Sequence, residues 1–253
     1  MPTALIFGGS GQIARHLTTL LINKNYTVHS IIRNSAQSSS LTSLGAHPIV
    51  QSIDTSSVSE LASTIRDCSP DVVIFSAGAG AAGGIDTLRH RTVDRDGAIK
   101  SFDATAEAGG TKRYIIVSAI DVRDRDSKPV PGWYDDNDKK SSDELWGAIP
   151  AYMNMKLAAD RDLVTGNSRR GLEYTIVRPN NLSNDPGTGA VSAGRVHLVA
   201  PVSRQDVAEV IVACIEDERT VGFAFDVTPG DVPIKQAVAK VVQEKLDTFK
   251  GYY

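Results

Sequence analysis

Ala4-Leu5-Ile6-Phe7-Gly8-Gly9-Ser10-Gly11-Gln12-Ile13-Ala14 is the stretch from which the fold is read. Four apolar residues ended by glycine are the pattern of a short buried parallel strand. Leu17, Leu20 and Leu21 recur at helical spacing and predict a helix over 12–23. A diphosphate suits the turn between them. Glycines without a Cβ let the backbone close on phosphate oxygens, and the free N–H groups that open the helix point at negative charge. Ala14 is small enough for the helix to pack closely on the strand. Gly9-x-Gly11-x-x-Ala14 and Gly8-x-x-Gly11-x-x-Ala14 both fit a dinucleotide fingerprint, whose weight comes from the strand before it and the helix after it.

The second strand narrows the ligand. Thr27-Val28-His29-Ser30-Ile31-Ile32-Arg33 is followed by Asn34-Ser35, where an NAD enzyme usually places a carboxylate to accept from the ribose 2′-hydroxyl. The first acidic residue of the chain is Asp54, so Arg15, Lys24 and Arg33 leave the first 53 residues net positive by three. Arg33 can fork onto a 2′-phosphate, and Asn34 and Ser35 can donate to it. NADP(H), rather than NAD(H), is the expected cofactor.

With 253 residues the chain can bury a full core as one α/β domain, 1–253. A net charge of −3 and the lack of a basic, aromatic-studded stretch argue against nucleic acid. Cys68 and Cys214 match no disulfide or metal spacing, and the five histidines are scattered, so no metal is expected. No apolar run approaches a membrane span and no leader is legible, so a soluble, cytoplasmic monomer is expected.

Along the chain, strand-like runs at 4–7, 27–33, 48–53, 72–77, 114–118, 174–178 and 223–227 alternate with helical stretches near 12–23, 57–68, 94–108, 151–166 and 204–217. That alternation predicts a Rossmann-type doubly wound parallel sheet, a single domain with a small substrate-covering C-terminal part. Ligands in such sheets bind at the carboxyl ends of strands. Ser203-Arg204-Gln205-Asp206 has the pattern of a capping box. An insertion at about 121–150 breaks the rhythm with dense charge and carries both tryptophans, Trp133 and Trp146. Long connections of this kind are functional or disordered, and here a loop covering the substrate is expected, with the tryptophans as its wall.

The next helix carries the chain's one Tyr-x-x-x-Lys pair, Tyr152 and Lys156, whose spacing sets phenol and ammonium on one helical face. A free phenol titrates near pH 10, and a nearby positive charge favours its phenolate. Tyr152 could then exchange a proton with a substrate oxygen while hydride moves at carbon. Lys156 could hold the nicotinamide ribose, and Ser118, after Tyr114-Ile115-Ile116-Val117, could hydrogen-bond the same substrate oxygen.

Together these features resemble the short-chain dehydrogenase/reductase superfamily, in its atypical branch of NmrA-like and NAD(P)H-binding proteins. The likeness spans Gly8–Ala14, Ser76-Ala77-Gly78-Ala79-Gly80, Val117-Ser118-Ala119 and Tyr152…Lys156-Leu157-Ala158-Ala159-Asp160. It continues through Tyr174-Thr175-Ile176-Val177-Arg178-Pro179 and Ser203-Arg204-Gln205-Asp206-Val207-Ala208. The resemblance implies that Ser10, Gln12 and Ile13 approach the diphosphate and that Asp54 lies by the adenine. It also implies that Ala77 and Gly78 line a ribose and that Pro179 and Asn180 sit beside the nicotinamide. The expected activity is NADPH-dependent hydride transfer to a small carbonyl or similar electrophile. The alternatives are a non-catalytic NADP(H) sensor and an NADP-dependent epimerase or dehydratase.

Overall fold

The computed structural model describes residues 1–79 and 87–253, so Gly80 lies outside the described residues. No boundary within 1–253 is legible in the sequence, whereas the structure groups the chain into two compact units. The first holds residues 1–116 and 158–174, the second 117–157 and 175–253.

The first unit runs β1 (Thr3–Phe7), α1 (Gln12–Asn23), β2 (Thr27–Ile32), α2 (Ser38–Thr42), β3 (His47–Val50), α3 (Val58–Cys68) and β4 (Val72–Phe75). It continues through a single turn α4 (Thr87–Arg89), a π-helical stretch His90–Gly97, α5 (Ala98–Ala108) and β5 (Arg113–Val117). The strands lie in the order β3-β2-β1-β4-β5, every neighbouring pair parallel. β1 is central, and Leu5, Ile6 and Phe7 are fully buried. Each contributes about 1.5–3 kcal/mol by leaving water, so the glycine loop hangs from a firmly anchored strand. Ser57 caps α3, its side chain exchanging hydrogen bonds with Glu60 in a complete capping box.

The second unit contains α6 (Asp136–Ala148), the start of α7 (Pro150–Arg170), most of β6 (Glu173–Pro179), β7 (Leu182–Ser183), β8 (Ala190–Gly194) and β9 (Val202–Ser203). After these come α8 (Arg204–Glu216), β10 (Ala224–Pro229), β11 (Val232–Pro233) and α9 (Ile234–Gln243). β10 runs parallel to β6, but β8 pairs antiparallel with β10 and with β11, so the expected all-parallel arrangement is mostly parallel. β7 and β9 form a separate parallel pair.

Ser203 caps α8 by accepting from the Gln205 amide, but Asp206 does not complete the expected box. Its carboxylate instead accepts from the backbone amides of Thr188 and Gly189, at 3.1 and 2.9 Å, and so holds the turn before β8. The insertion near 121–150 is also more ordered than a covering loop. Asp135 and Asp138 build a capping box that starts α6. The buried Asp121 carboxylate gathers Arg123 (2.9 Å), Ser142 (2.6 Å), Trp146 Nε1 (3.1 Å) and the Tyr134 hydroxyl (3.2 Å). Trp133 stands edge-on to Tyr134 and Tyr252, with the Arg195 guanidinium over its ring.

Candidate functional site

In the first unit a cavity of about 190 Å³ opens at the carboxyl ends of β1, β2 and β4. Gly8, Ser10 and Gly11 form one wall, and Ala77 and Gly78 another. Gly8 has a φ of +78°, and a Cβ there would come within 2.5 Å of the Ala77 backbone. A Cβ on Gly9 would meet the Ser30 side chain at 2.4 Å. The loop is thus wedged between the ends of β2 and β4, where only glycine fits. Gly11 precedes α1 in extended conformation with no side chain capping the helix, which leaves its first N–H groups available to an anion. Gln12 and Ile13 open that helix, but they are not among the cavity's lining residues; Ile13 is buried against the core.

Arg33 lines the cavity, is exposed, and has no hydrogen-bond or ion-pair partner among the described residues. Arg15 is differently employed, donating to Ser40 Oγ at 3.1 Å. Asn34 and Ser35 do not line the cavity: the Asn34 side chain accepts from the Ala36 amide at 2.9 Å and caps a 3-10 turn that begins at Ser35. Gln37, from the same turn, does line it, and its side-chain oxygen is buried without a partner. Asp54 lies on the opposite rim. Its loop is pinned by Lys100, whose ammonium donates to the carbonyls of Ile53, Asp54 (3.1 Å) and Ser56 (3.0 Å).

Helical spacing alone does not show what the π-helical stretch contributes. It sets the buried Asp94 carboxylate against the Ala79 amide (3.3 Å) and His90 Nδ1 (3.0 Å), bracing the loop after β4. Arg89 and Val93 from this segment line the cavity. No sequence signal marked it, because His90–Gly97 is polar throughout except for Val93; π-helical stretches cluster at functional sites.

The second unit brings the catalytic candidates together. Lys156 is buried, donates from Nζ to the Val117 carbonyl at 3.2 Å, and holds its ammonium 5.6 Å from the centroid of the Tyr152 ring. Val117 ends β5, and the buried Ser118 follows it, its amide donating to Val177 O at 2.8 Å. Tyr152 is half-buried. Pro179 ends β6 and accepts from the Ile120 amide. Asn180 donates to the carbonyls of Val199 and Ala200 at 3.0 and 3.3 Å. A second cavity, of about 390 Å³, lies beside Asn180, α6 and residues 198–199. Neither Trp133 nor Trp146 is among the residues lining either cavity. The indole of Trp146 is instead committed to Asp121.

His197 is less isolated than its place in the sequence suggests. It meets Asp138 at 2.6 Å, with Asp135 at 3.9 Å, and the three could offer ligand atoms to a cation. The Asp138 oxygens already accept from the amides of Asp135 and Leu198.

The pattern of the NAD(P)H-binding family matches residues 8–218. The chain belongs to that family. Within it, a Bacillus subtilis protein named as an uncharacterized sugar epimerase, YhfK, is 35% identical over 237 residues, covering 93% of this chain and 98% of its own. A solved structure described as a putative NAD-dependent epimerase/dehydratase from Bacillus halodurans is 30% identical, with a TM-score of 0.76 over 95% of this chain and 100% of that one. The oxidoreductase ylbE from Lactococcus lactis has the same fold, with a TM-score of 0.75 at 22% identity, covering 95% and 97% of the two chains. Among the described residues no helix is long and apolar enough to cross a membrane.

Proposed function

We propose that this member of the family is an NADP(H)-dependent oxidoreductase acting on a small carbonyl compound. The observation that carries the reading is the buried Lys156 ammonium, fixed on the last carbonyl of β5 and set over the Tyr152 ring. An ammonium held in that place sets a positive charge beside the phenol, which favours its phenolate.

The residues present fit the cofactor. Gly8 and Gly9 let the loop close against Ala77 and Ser30 at the strand ends, α1 offers uncapped N–H groups, and Arg33 is a cation with nothing else to pair with among the described residues. Gly8, Ser10, Gly11 and the first amides of α1 would hold the diphosphate. Arg33 would fork onto the 2′-phosphate, and Ala77 and Gly78 would let a ribose approach the end of β4. When bound, the cofactor supplies or accepts the hydride. The chain's own residues handle the proton. Tyr152 donates from its hydroxyl to the substrate oxygen in reduction and takes the proton back in oxidation. Lys156 favours the phenolate that this exchange leaves, and the Ser118 hydroxyl donates a hydrogen bond to the same oxygen.

A second reading is favoured by the relatives named as epimerases, in which hydride leaves a substrate carbon and returns to it. The two differ in stoichiometry. A reductase consumes NADPH in step with substrate, whereas an epimerase or dehydratase converts substrate with no net change at 340 nm. Incubation with NADPH and a panel of ketones, aldehydes and quinones is expected to show net oxidation. Tyr152→Phe should lower kcat by about 100-fold or more with cofactor affinity unchanged, as expected for loss of a proton donor. Tight NADPH binding without turnover across the panel would instead mark a sensor.

A further inference from the structure

The second unit's cavity has a composition that speaks to substrate class. Leu145, Ala148, Ile149, Leu198 and Val199 give it apolar walls. Two of these, Ile149 (38% exposed) and Val199 (57% exposed), are among the few large apolar side chains that the described residues leave in water. Exposed apolar groups concentrated on the rim of a concavity mark a place where something apolar sits. The volume of about 390 Å³ is in the range of small-molecule sites, roughly 300–1,000 Å³.

Its polar groups divide into used and unused. The Asn180 amide is spent on Val199 and Ala200, so it shapes the wall. The side chains of Ser141 and Asn181 have no partner among the described residues and remain to orient a ligand. The one charged lining residue is Glu144, and no lysine or arginine lines the cavity. Helix α6 carries four acidic residues, Asp136, Asp138, Asp143 and Glu144, against Lys139 and Lys140, and of these Glu144 reaches the cavity. A diphosphate entering here would lose water beside the Glu144 carboxylate with no lysine or arginine in the lining to receive it.

Resting on the oxidoreductase reading above, we infer that this cavity takes the substrate, and that the substrate is a small, uncharged, largely apolar carbonyl compound rather than a nucleotide-diphosphate sugar. Tyr152 does not line the cavity, but the helix that carries it starts at the cavity's wall. Ile149 precedes α7, and its carbonyl accepts from the Met153 amide, one residue beyond Tyr152.

The test is direct binding to the full-length protein in the presence of NADPH, by saturation-transfer NMR. The probes are 2-decalone, a neutral bicyclic ketone, and UDP-glucose, a diphosphate of comparable bulk. The ketone is expected to bind and UDP-glucose to give no transfer. Ala148→Trp, at an exposed helix position, should fill the cavity and weaken the ketone at least about tenfold, equivalent to roughly 1.4 kcal/mol. If Ala148→Trp were unfolded by circular dichroism, Val199→Arg at the rim would replace it, with the same loss expected. Binding of UDP-glucose as tight as that of the ketone, or ketone binding that survives a folded rim variant, overturns the inference. NADPH affinity measured by calorimetry on the same samples separates this outcome from failure of the cofactor reading, which loss of NADPH binding alone would signal.

Discussion

In the proposed reading, cofactor choice turns on Arg33. It ends the approach to the first unit's cavity, follows β2 directly, and carries a guanidinium with no partner among the described residues. The neighbouring Asn34 turns its side-chain oxygen to the turn that begins at Ser35, and neither Asn34 nor Ser35 lines the cavity. In the proposed reading Arg33 is the member of that trio that meets the 2′-phosphate. The Bacillus halodurans relative is described as NAD-dependent, which makes the point worth testing. A charge-assisted contact contributes about 1.5–3 kcal/mol, or about 10- to 150-fold in affinity. Arg33→Asp is thus expected to cut NADPH affinity by at least tenfold while leaving NADH equal or improved, read by calorimetric titration of both. An unchanged ratio of the two affinities would mean that the 2′-phosphate is recognised elsewhere.

At the level of elements, β1, α1, β2, β4, β5 and β6 were legible because each is an unbroken apolar run or a 3.6-residue pattern. α1 was legible to both ends, 12–23. The glycine cradle was legible for the same reason, its chemistry being local in sequence. β7, β9 and β11 were not, because two-residue strands carry no period. α6 has almost no apolar face and is started by the Asp135–Asp138 box, a signal hidden in a run of charge. The Tyr152–Lys156 spacing was visible, but that Lys156 would bury its ammonium on Val117 depends on a contact 39 residues away. The same limit hid the bond from His197 to Asp138, which fastens α6 to residues 197–198 on the rim of the second cavity. Asp138 raises the His197 pKa by accepting its hydrogen bond, with Asp135 adding to the attraction. Burial alone would push Asp138 up, but bonds from His197 and from the amides of Leu198 and Asp135 outweigh it and bring the carboxyl below its usual value. The contact is therefore whole between the unfolded carboxyl and imidazole values, about 4 to 6.5, and is lost as pH rises through the elevated His197 value. Hydrogen exchange at the Leu198 amide, corrected for intrinsic base catalysis, should lose protection between pH 6 and pH 9. His197→Ala should flatten that dependence, and a wild-type profile equally flat would show that the bond carries no strain-free preference for the charged ring.

For the molecule as a whole, stability depends on ions kept in the second unit's core. Arg178 is 1% exposed. Its guanidinium lies 3.1 Å from Asp226 on β10, donates to Val122 O at 2.7 Å and to Thr248 Oγ1 at 3.3 Å, and sits over the Phe249 ring. One side chain thereby joins β6, β10, the segment after β5 and the C-terminal tail. Asp226 is fully buried, which raises its carboxyl to about 7, and the attraction of Arg178 keeps it from going higher. A carboxyl whose folded value exceeds the unfolded one takes up a proton on folding, so its contribution to stability falls as pH rises from about 4 to about 7. Removing Arg178 lifts that ceiling further and leaves an unpartnered charge wherever the carboxyl is ionised. Breaking a buried pair from one side costs about 3–5 kcal/mol, whereas replacing both partners with apolar residues is often close to neutral. Arg178→Met is thus expected to lose about that much at pH 8 and clearly less at pH 6, where Asp226 can be neutralised. Arg178→Met with Asp226→Leu should recover most of the loss at both. Urea unfolding followed by tryptophan fluorescence at the two pH values gives the comparison, and an equal loss at both would mean that Asp226 keeps one protonation state across that interval.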